Sequence, residues 1–360
     1  MKKTSLMFIC LLIFGLVLFV GCDSPAEEEP ADEEVVDEEP ADEDVADEPE
    51  EVIEIRLAGQ SPVDNPDSVA LEAIADQVAA DSGGRISITV FPANQLGDYT
   101  TVHEEIMRGT IEMALISTSP EHDDRLLLSY MPYIAENYDQ VRELYAPGGF
   151  LYSTYKDIHV DLDAEFLGFW AEGLGVLGTT EIPTDPANPE VDKGILLRVP
   201  PVDGVRLSVE AQGYRGTEIA YADLFSALET GIADGWTGGG DVLNYTGFRD
   251  VIDYIVPINN FFEATFFLAN YDFWHDLAPE DQEIIRNAVE EKSSMSLEQV
   301  EVINMEYRER MQEEGIEIIE LTDEEVSYIA EYVRERTWPQ LAEDVGVDLI
   351  AELEEILEGF

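Results

Sequence analysis

Segments with a strand-like period and segments with a helix-like period follow one another along the chain from Val52. The first segment alternates apolar and polar residues with a period of two, and the next places Val69, Ile74 and Val78 roughly on one helical face. Strands that alternate with helices predict an α/β sheet with right-handed parallel crossovers. The predicted order is strand, helix, strand, helix, strand, over residues 52–58, 68–81, 85–91, 100–108 and 111–116.

A second unit of the same kind follows a proline-rich loop. Beyond it, the aromatic segment Phe261–Ala269 predicts a strand that is buried between layers. The last third of the chain favours helix, with one long amphipathic candidate over Glu280–Glu314 that has Pro279 in its first turn. The second unit is predicted as strand, helix, strand, helix and the start of a strand, at 194–199, 205–212, 217–219, 221–230 and 232–233.

The N-terminus is typical of an exported protein. Two lysines precede an apolar run at 6–20, which is short for a bilayer span of ~20 residues, and Gly21-Cys22 follows. A cysteine directly after a small residue resembles the bacterial lipobox, in which the cysteine is lipidated and becomes the mature N-terminus. The sequence therefore predicts a lipoprotein signal peptide at 1–21 and lipidation of Cys22. An uncleaved anchor helix and an ordinary signal with an incidental cysteine are the alternatives.

Acidic side chains dominate the segment after the signal and remain in excess throughout the chain. Residues 23–51 hold 17 acidic and no basic side chains, which predicts a disordered tether, with a specific acidic binding tail as the alternative. The part from Val52 onward has 62 acidic against 17 basic side chains, which indicates a salt-rich habitat or an ordinary acidic exported protein. Nucleic acid and anionic membrane surfaces are disfavoured as partners, since both require basic residues.

Sequence motifs for catalysis are missing. The chain has no GxSxG motif, no P-loop and no GxGxxG motif that opens a helix. Its histidines, His103, His122, His159 and His275, are isolated in the sequence and show no ligand spacing. The two cysteines belong to the signal and the lipidation site, so the mature protein is expected to contain no disulfide and no cysteine-ligated metal. We therefore expect no enzyme, no metal and no cofactor.

Arg198 is the most unusual of the few basic residues. Three apolar residues at 195–197 precede it and Val199-Pro200 follow, so the charge lies at the end of an apolar strand. A buried guanidinium is costly unless it is paired, and a carboxylate pairs with it through two parallel hydrogen bonds. Ligands also bind at the strand ends of α/β sheets. Arg198 is therefore predicted either to bind a ligand carboxylate or to form a structural salt bridge.

Several stretches of the sequence, in order and spacing, resemble one known family. They are DSGGR at 81–85, VFPANQLG at 90–97, EIMRGTIEM at 105–113, KGILLRVP at 193–200 and LFSALETGIADG at 224–235. The family is that of the DctP-type substrate-binding proteins of tripartite ATP-independent periplasmic (TRAP) transporters. Trp338-Pro339 resembles part of the family's C-terminal helix, so the resemblance covers most of the chain after the tether.

The resemblance implies a two-lobed α/β fold of the periplasmic-binding-protein kind, in which each lobe is a mixed sheet flanked by helices. Hinge strands and a long C-terminal helix connect the lobes, which close on a small, usually carboxylated solute. The predicted divisions are a signal peptide, an acidic tether, the first part of lobe I, lobe II, and a hinge strand with the connecting and C-terminal helices, at 1–21, 22–51, 52–175, 176–265 and 266–360.

The resemblance also assigns residues to the cleft. Arg198 matches the family arginine that binds the ligand carboxylate. Tyr221 matches an aromatic residue that packs on the ligand, with a core position as the alternative. Gln60 and Ser117, at the ends of the first and third predicted strands, fall near cleft positions, with surface loops as the alternative.

The segment WTGGG at 236–240 departs from the family pattern. Many members carry Gln-Glu-Asn-Pro or a Glu-Trp pair there, so a carboxamide or carboxylate contact to the ligand is missing. Trp236, with Thr237 beside it, is expected to cover an apolar or cationic part of the ligand, and the glycines to allow close backbone approach; a core tryptophan is the alternative. Residues 178–180 lack a second arginine that some sialic-acid binders carry, which disfavours sialic acid as the ligand.

The predicted function is that of an extracytoplasmic solute receptor. It is expected to be lipid-anchored to the outer face of the cytoplasmic membrane, to capture a small organic acid or zwitterionic solute, and to deliver it to a TRAP membrane permease. A receptor for a membrane sensor kinase on the same fold is the alternative, and an exported enzyme is the weakest candidate. The candidate ligands are C4-dicarboxylates, 2-oxo acids, aromatic acids, amino acids and zwitterionic osmolytes such as ectoine.

Overall fold

Two mixed β-sheets form the framework of the protein. The structure is a computed structural model that describes residues 52–360, which belong to one unit. The predicted signal peptide at 1–21, the lipidation site Cys22 and the acidic tether at 22–51 lie outside the described residues.

The first sheet combines parallel and antiparallel pairing. From one edge to the other, its strands are β2 (Ile86–Phe91), β1 (Ile53–Gly59), β3 (Met113–Ile116), β10 (Phe262–Asn270) and β4 (Ala164–Leu174). Strand β1 is parallel to β2 and β3, whereas β10 is antiparallel to β3 and β4. The strands that the sequence predicts in this part of the chain are confirmed, including the buried aromatic one, which is β10.

The second sheet is mixed in the same way. Its strands, in spatial order, are β11 (Glu317–Ile318), β9 (Tyr254–Val256), β5 (Val176–Thr179), β8 (Gly235–Gly239), β6 (Leu196–Val199) and β7 (Arg215–Glu218). Strand β6 is parallel to both β7 and β8, whereas β5 is antiparallel to β8 and β9. The predicted fold class, with two mixed sheets flanked by helices, is confirmed.

Helices cover both sheets. They are α1 (Pro66–Asp81), α2 (Tyr99–Met107), α3 (Tyr138–Tyr145), α4 (Phe150–Asp161), α5 (Asp203–Ala211), α6 (Leu224–Glu229), α7 (Asp241–Leu243), α8 (Tyr271–Asp276), α9 (Pro279–Glu313), α10 (Asp323–Val345) and α11 (Val347–Leu357). Shorter turns are the 3₁₀ segments Asp124–Tyr130 and Tyr221–Asp223 and the π-helical segment Asn244–Phe248. Within residues 52–360, no helix combines the length and the apolar character that a membrane crossing needs.

Helix α1 shows where the helical pattern was interpreted correctly and where it was not. The Asn65 side chain caps its first turn, and Pro66 occupies a position where a missing N–H is tolerated. Ile74 and Val78 are buried as predicted, because residues four apart share one helical face. Val69 is 58% exposed, so its predicted place on that face is wrong. Val69 precedes Ile74 by five positions, which is about 140° around the helix, so its side chain points toward solvent.

Two predicted boundaries in the second unit also need correction. The helix predicted at 221–230 is a 3₁₀ turn followed by α6, and β8 begins at Gly235 rather than at 232. Strand β8 starts later than predicted because Asp234 pairs with β6 through its side chain: its carboxylate accepts a hydrogen bond from the backbone N–H of Leu196 at 2.9 Å. Strand β10 begins at Phe262, so the predicted boundary between 265 and 266 falls within a strand of the first sheet. The lobe boundaries therefore stay predictions.

Helix α9, the predicted long helix, contacts structures that belong to both sheets. The Asn304 side chain donates a hydrogen bond to the carbonyl of Glu172 on β4 at 2.9 Å and accepts one from the backbone N–H of Val242 after β8. One turn further, Arg308 forms an ion pair with the buried Asp241 at 2.8 Å. These contacts couple the two sheets through one side of a single helix.

Three of the four histidines, although isolated in the sequence, come together in the fold. His103 on α2 lies with its ring centroid 4.8 Å from that of His122 and 5.7 Å from that of His159 on α4. Their Nε2 atoms are buried without a hydrogen-bond partner. No local pattern predicts this cluster, because its three residues come from separate parts of the chain. In the part of the chain that the structure describes, no group of His, Cys, Asp or Glu residues is arranged to hold a metal ion.

The histidine cluster is expected to make the protein sensitive to acid. Burial lowers the pKa of His159 to about 4 and holds the pKa of His103 even further below its usual value, with the neighbouring histidines adding to the effect at His103. Because the unfolded chain then binds more protons below about pH 6.5, these groups remove stability as the pH falls. Buried carboxyl groups with a raised pKa instead add stability as the pH falls. The contribution of the histidines is therefore measured by comparing a histidine variant with the unsubstituted protein.

We predict that His103→Phe loses less stability than the unsubstituted protein between pH 7.5 and pH 5.0. The difference should be about 2 kcal/mol in the free energy of unfolding, the cost of keeping one imidazole neutral over this range. Urea unfolding at both pH values measures it, with His275→Phe, at an exposed histidine on α8, as the matched control. Equal pH dependence of His103→Phe and the unsubstituted protein would contradict the prediction.

Candidate functional site

Arg198 lies at the carboxyl end of β6 with its guanidinium buried and only partly satisfied. The residue is 3% exposed, and its Nε donates a hydrogen bond to the backbone carbonyl of Ile219 at 2.8 Å. Within residues 52–360 it forms no ion pair with a carboxylate, so the structural salt bridge that the sequence left open is absent there. Burial lowers the pKa of Arg198, which is the expected cost of an unpaired buried cation.

The guanidinium faces a small enclosed cavity between the strand ends of the two sheets. The free space in it is about 30 Å³, which is room for about two water molecules. The cavity therefore has to widen before an organic molecule can enter. Its lining residues are Gln60, Tyr99, Ser117, Tyr130, Arg198, Pro200, Val205, Tyr221, Gly238, Leu243, Phe261 and Glu263.

Gln60 and Ser117 form a hydrogen-bonded pair on the wall that the first sheet contributes. The Gln60 amide donates to the Ser117 hydroxyl at 3.0 Å, and the Ser117 backbone N–H donates back to the Gln60 carbonyl oxygen at 2.8 Å. These residues follow β1 and β3, so the parallel strands bring them to the same sheet edge. The surface-loop alternative is wrong for both residues because both are buried; their contact with a ligand stays a prediction.

Glu263 is the charged residue of the cavity that sequence reasoning missed. It lies on β10 at a bulge in the pairing with β4, and its carboxylate accepts a hydrogen bond from the Ser117 hydroxyl at 3.1 Å. Burial raises the pKa of Glu263 to about 7, against smaller lowering effects of Ser117 and Arg198. The available signal was an acid inside the aromatic strand predicted at 261–269, where a charge is costly without a purpose.

Two further carboxyl groups are buried near the cavity, where both act electrostatically on Tyr221. Asp67 at the start of α1 and Glu172 on β4 are 2% and 5% exposed. Burial raises the pKa of both groups, and the charges of Asp67 and Glu263 add to the effect at Glu172. Thr265 donates a hydrogen bond to Glu172 at 3.3 Å, and the backbone N–H of Ser68 donates to Asp67 at 2.6 Å. The first-sheet side of the cavity is therefore rich in acid.

Aromatic side chains complete the cavity. Tyr221, in the 3₁₀ turn after β7, has its ring centroid 6.0 Å from the Arg198 guanidinium carbon, and it lines the cavity as predicted. Tyr99 and Tyr130, which the sequence did not single out, also line the cavity and, like Tyr221, act electrostatically on Arg198. The Tyr130 hydroxyl donates a hydrogen bond to the carbonyl of Thr118 at 2.6 Å. Burial raises the pKa of all three phenols, so they remain neutral donors near pH 7.

Trp236 and Thr237 do not line the cavity, and we correct their predicted place in it. Trp236 is fully buried: its indole N–H donates to the Asn244 side chain at 3.0 Å, and Phe248 packs on its ring at a centroid distance of 4.5 Å. The Thr237 hydroxyl accepts a hydrogen bond from Asn260 at 3.0 Å. The core alternative therefore describes Trp236 in this structure.

Of the glycines after Trp236, Gly238 does line the cavity and explains why a glycine is required. Its φ of 141° disfavours side chains, and a Cβ there would lie 3.1 Å from the Trp236 ring and 3.7 Å from Nη1 of Arg198. The backbone at Gly238 therefore lies near the guanidinium, and the close approach of these glycines to a ligand stays a prediction.

A family model confirms the resemblance. The model, which is described as bacterial extracellular solute-binding protein, family 7 (DctP), matches residues 57–343. The chain belongs to this family. The match covers the predicted lobes, the long helix and most of α10. Family 7 proteins are extracellular solute-binding proteins by description, which agrees with the export predicted from the N-terminus.

Named relatives are distant but span most of this family 7 chain. The C4-dicarboxylate-binding protein DctB of Bacillus subtilis is 24% identical over 267 residues, covering 72% of this chain and 74% of DctB. The ectoine/5-hydroxyectoine-binding periplasmic protein UehA of Ruegeria pomeroyi is 24% identical over 240 residues, covering 65% of this chain and 68% of UehA.

Solved structures share the two-lobed fold of this family 7 chain. A TRAP periplasmic solute-binding protein from Ralstonia eutropha, with bound (S)-2-acetolactate, has a TM-score of 0.76 at 20% identity, covering 85% of this chain and 99% of that one. One from Sulfurospirillum deleyianum, with bound succinate, has a TM-score of 0.75 at 18% identity, covering 84% and 98%. At these identities the similarity shows the fold alone, and it confirms the predicted architecture.

Proposed function

We propose that this family 7 protein is a receptor that captures a small organic acid between its two sheets, with the acid's carboxylate bound to Arg198. The observation that carries the proposal is the buried guanidinium, which lines an enclosed cavity and has no carboxylate partner within residues 52–360. A buried cation without a counter-charge is unfavourable. A ligand carboxylate supplies the missing charge each time the receptor is loaded.

The geometry favours a strong and directional contact. The Arg198 Nε is already bound to Ile219, which fixes the plane of the guanidinium and leaves both Nη groups available for a carboxylate. Charge-assisted hydrogen bonds to a guanidinium are roughly twice as strong as neutral ones, and exclusion of water strengthens them further. Gln60 and Ser117 then offer polar contacts to the rest of the ligand.

Capture requires opening and closing. Because the cavity has room for about two water molecules, we infer that the sheets separate to admit the ligand and close again around it. The contacts of α9 with both sheets make this helix and β10 the elements about which the motion would occur. Closure adds no covalent chemistry, in keeping with relatives and neighbours that are described as binding proteins.

The partner that we propose is a TRAP membrane permease. Structural neighbours are described as TRAP periplasmic solute-binding proteins, and delivery to a permease is the use that this description implies. Lipid anchoring through Cys22 and the acidic tether belongs to the same proposal, because it would keep the receptor near its permease. A receptor for a sensor kinase has no supporting observation.

A thermal-shift screen at high salt tests the proposal, because a ligand that binds only the folded protein raises the melting temperature. The screen has three arms: dicarboxylates, monocarboxylates and zwitterions. Succinate, butyrate and 4-aminobutyrate represent them with matched four-carbon chains, and ectoine is a further zwitterion. At a concentration of about 100 times Kd, a true ligand should add about 2.7 kcal/mol to the free energy of unfolding. If all three arms leave the melting temperature unchanged, the receptor proposal is wrong.

A further inference from the structure

The charges that line the cavity select among the acids of the proposed function. We propose that the ligand is a zwitterion, with its carboxylate on Arg198 and a cationic group, an ammonium or amidinium, on Glu263. The inference rests on the proposed function, since it assumes that this cavity binds the solute. It goes further by assigning a second anchor, of opposite charge, on a strand of the other sheet.

The first argument is the charge balance of the lining. Arg198 and Glu263 are the charged residues among the side chains that line the cavity. They form no ion pair with each other within 4.0 Å, and Glu263 has the Ser117 hydroxyl as its hydrogen-bond partner. A cation and a carboxyl group with no ion pair between them match a ligand that carries one charge of each sign, because a bound cation stabilises the charged form of Glu263.

The second argument is the electrostatic surroundings of Glu263. Glu263 acts electrostatically on Glu172, which interacts with Asp67, and both of these acids are buried without a basic partner among residues 52–360. On the Arg198 side, the Asp98 carboxylate has a buried oxygen without a hydrogen-bond partner and acts on the guanidinium electrostatically. Carboxyl groups therefore outnumber basic groups around the cavity, and a cationic ligand group would stabilise their charged forms, which burial alone disfavours.

The same surroundings disfavour the other two classes of acid. A dicarboxylate would bring a second negative charge into a cavity whose one lining cation is already used, and next to Glu263. A monocarboxylate with a neutral remainder would leave Glu263 without a counter-charge after closure. Burying a charge without a partner is costly in both cases.

Aromatic rings give the cationic group additional contacts. Tyr99, Tyr130, Tyr221 and Phe261 line the cavity together with Glu263. A desolvated cation near an aromatic face is stabilised by the ring quadrupole, and this holds for an alkylated ammonium as well as for an amidinium.

The decisive variant is Glu263→Gln, which keeps the size of the side chain and removes its charge. In the thermal-shift screen and in calorimetric titrations of the purified protein, we expect the unsubstituted protein to respond to the zwitterion arm. Glu263→Gln should bind the same zwitterion roughly tenfold to hundredfold more weakly, the usual effect of losing a charged hydrogen bond. It should bind the matched dicarboxylate at least as well as the unsubstituted protein, because a repulsive charge has been removed.

Glu54→Gln, at an exposed position on β1, is the control and should change neither affinity. A second readout is the proton balance. Because the pKa of Glu263 is about 7, a bound cation should cause proton release near pH 7, measured as a dependence of the binding enthalpy on the buffer.

The outcomes separate this inference from the function on which it rests. Binding of dicarboxylates or monocarboxylates in preference to zwitterions, with loss of that binding in Arg198→Ala, would overturn the zwitterion and leave the receptor intact. Equal weakening of all ligands in Glu263→Gln would overturn the second anchor, because it indicates a structural role of Glu263. No response in any arm would overturn both proposals.

Discussion

Replacing Arg198 with alanine should weaken ligand binding at least about 100-fold, or roughly 2.7 kcal/mol. The ligand carboxylate would then be buried in the closed protein without its counter-charge, and loss of one member of a buried ion pair typically costs more than loss of an exposed one. The affinity of Arg198→Lys should lie between that of Arg198→Ala and that of the unsubstituted protein, because an ammonium keeps the charge and loses the planar two-bond geometry. Isothermal titration with the hit from the screen measures both variants.

Replacing Arg198 should have the opposite effect on the stability of the ligand-free protein, which should not decrease. Because Arg198 has no carboxylate partner within residues 52–360, its removal breaks no ion pair. The free energy of unfolding of Arg198→Met, which keeps most of the volume of the side chain, should therefore equal or exceed that of the unsubstituted protein. The matched control is Arg215→Ala, at an exposed arginine on the neighbouring strand β7, which should alter neither binding nor stability. Retained affinity in Arg198→Ala would refute the assigned role.

Replacing Trp236 with alanine should lower the free energy of unfolding by about 3–5 kcal/mol, the range for large aromatic residues in cores. The indole is fully buried, and its N–H is bound to the Asn244 side chain. Trp236→Phe keeps much of the packing against Phe248 and leaves the Asn244 oxygen without this donor, which should cost about 1–3 kcal/mol. Urea unfolding of the three proteins measures both effects.

Ligand affinity distinguishes the core role of Trp236 from the ligand contact that the sequence suggested. Since the indole does not line the cavity, Trp236→Phe should bind the ligand as tightly as the unsubstituted protein. Weaker binding together with unchanged stability would instead favour a direct contact. The smaller aromatic residue is the better variant for this comparison, because it is the less disruptive to folding.

Strand ends were the part of the site that could be predicted from sequence. Gln60, Ser117 and Arg198 each follow or end a short apolar strand, and within each sheet parallel strands bring their carboxyl ends to one edge. Tyr221 came from the resemblance to the family. Local periodicity places Gln60, Ser117 and Arg198 at strand ends, and the resemblance to the family assigns all four residues to one cleft.

Other parts of the site depend on contacts between residues far apart in the chain. Glu263 reaches Ser117 across 146 positions, and only the antiparallel pairing of β10 with β3 brings them together. The prediction that Trp236 contacts the ligand failed for a different reason. Strand β8 is buried on both faces, so alternation along it does not distinguish the face toward the cavity from the face toward the core. The histidine cluster again joins elements that no local pattern connects.

A crystal structure of the protein with the screen hit tests the central claim most directly. We predict that the ligand lies between the two sheets, in a cavity lined by Arg198, Tyr221 and Glu263, with two carboxylate oxygens at hydrogen-bond distance from the Arg198 guanidinium. A ligand bound elsewhere on the protein, or one in this cavity whose carboxylate avoids Arg198, would contradict it.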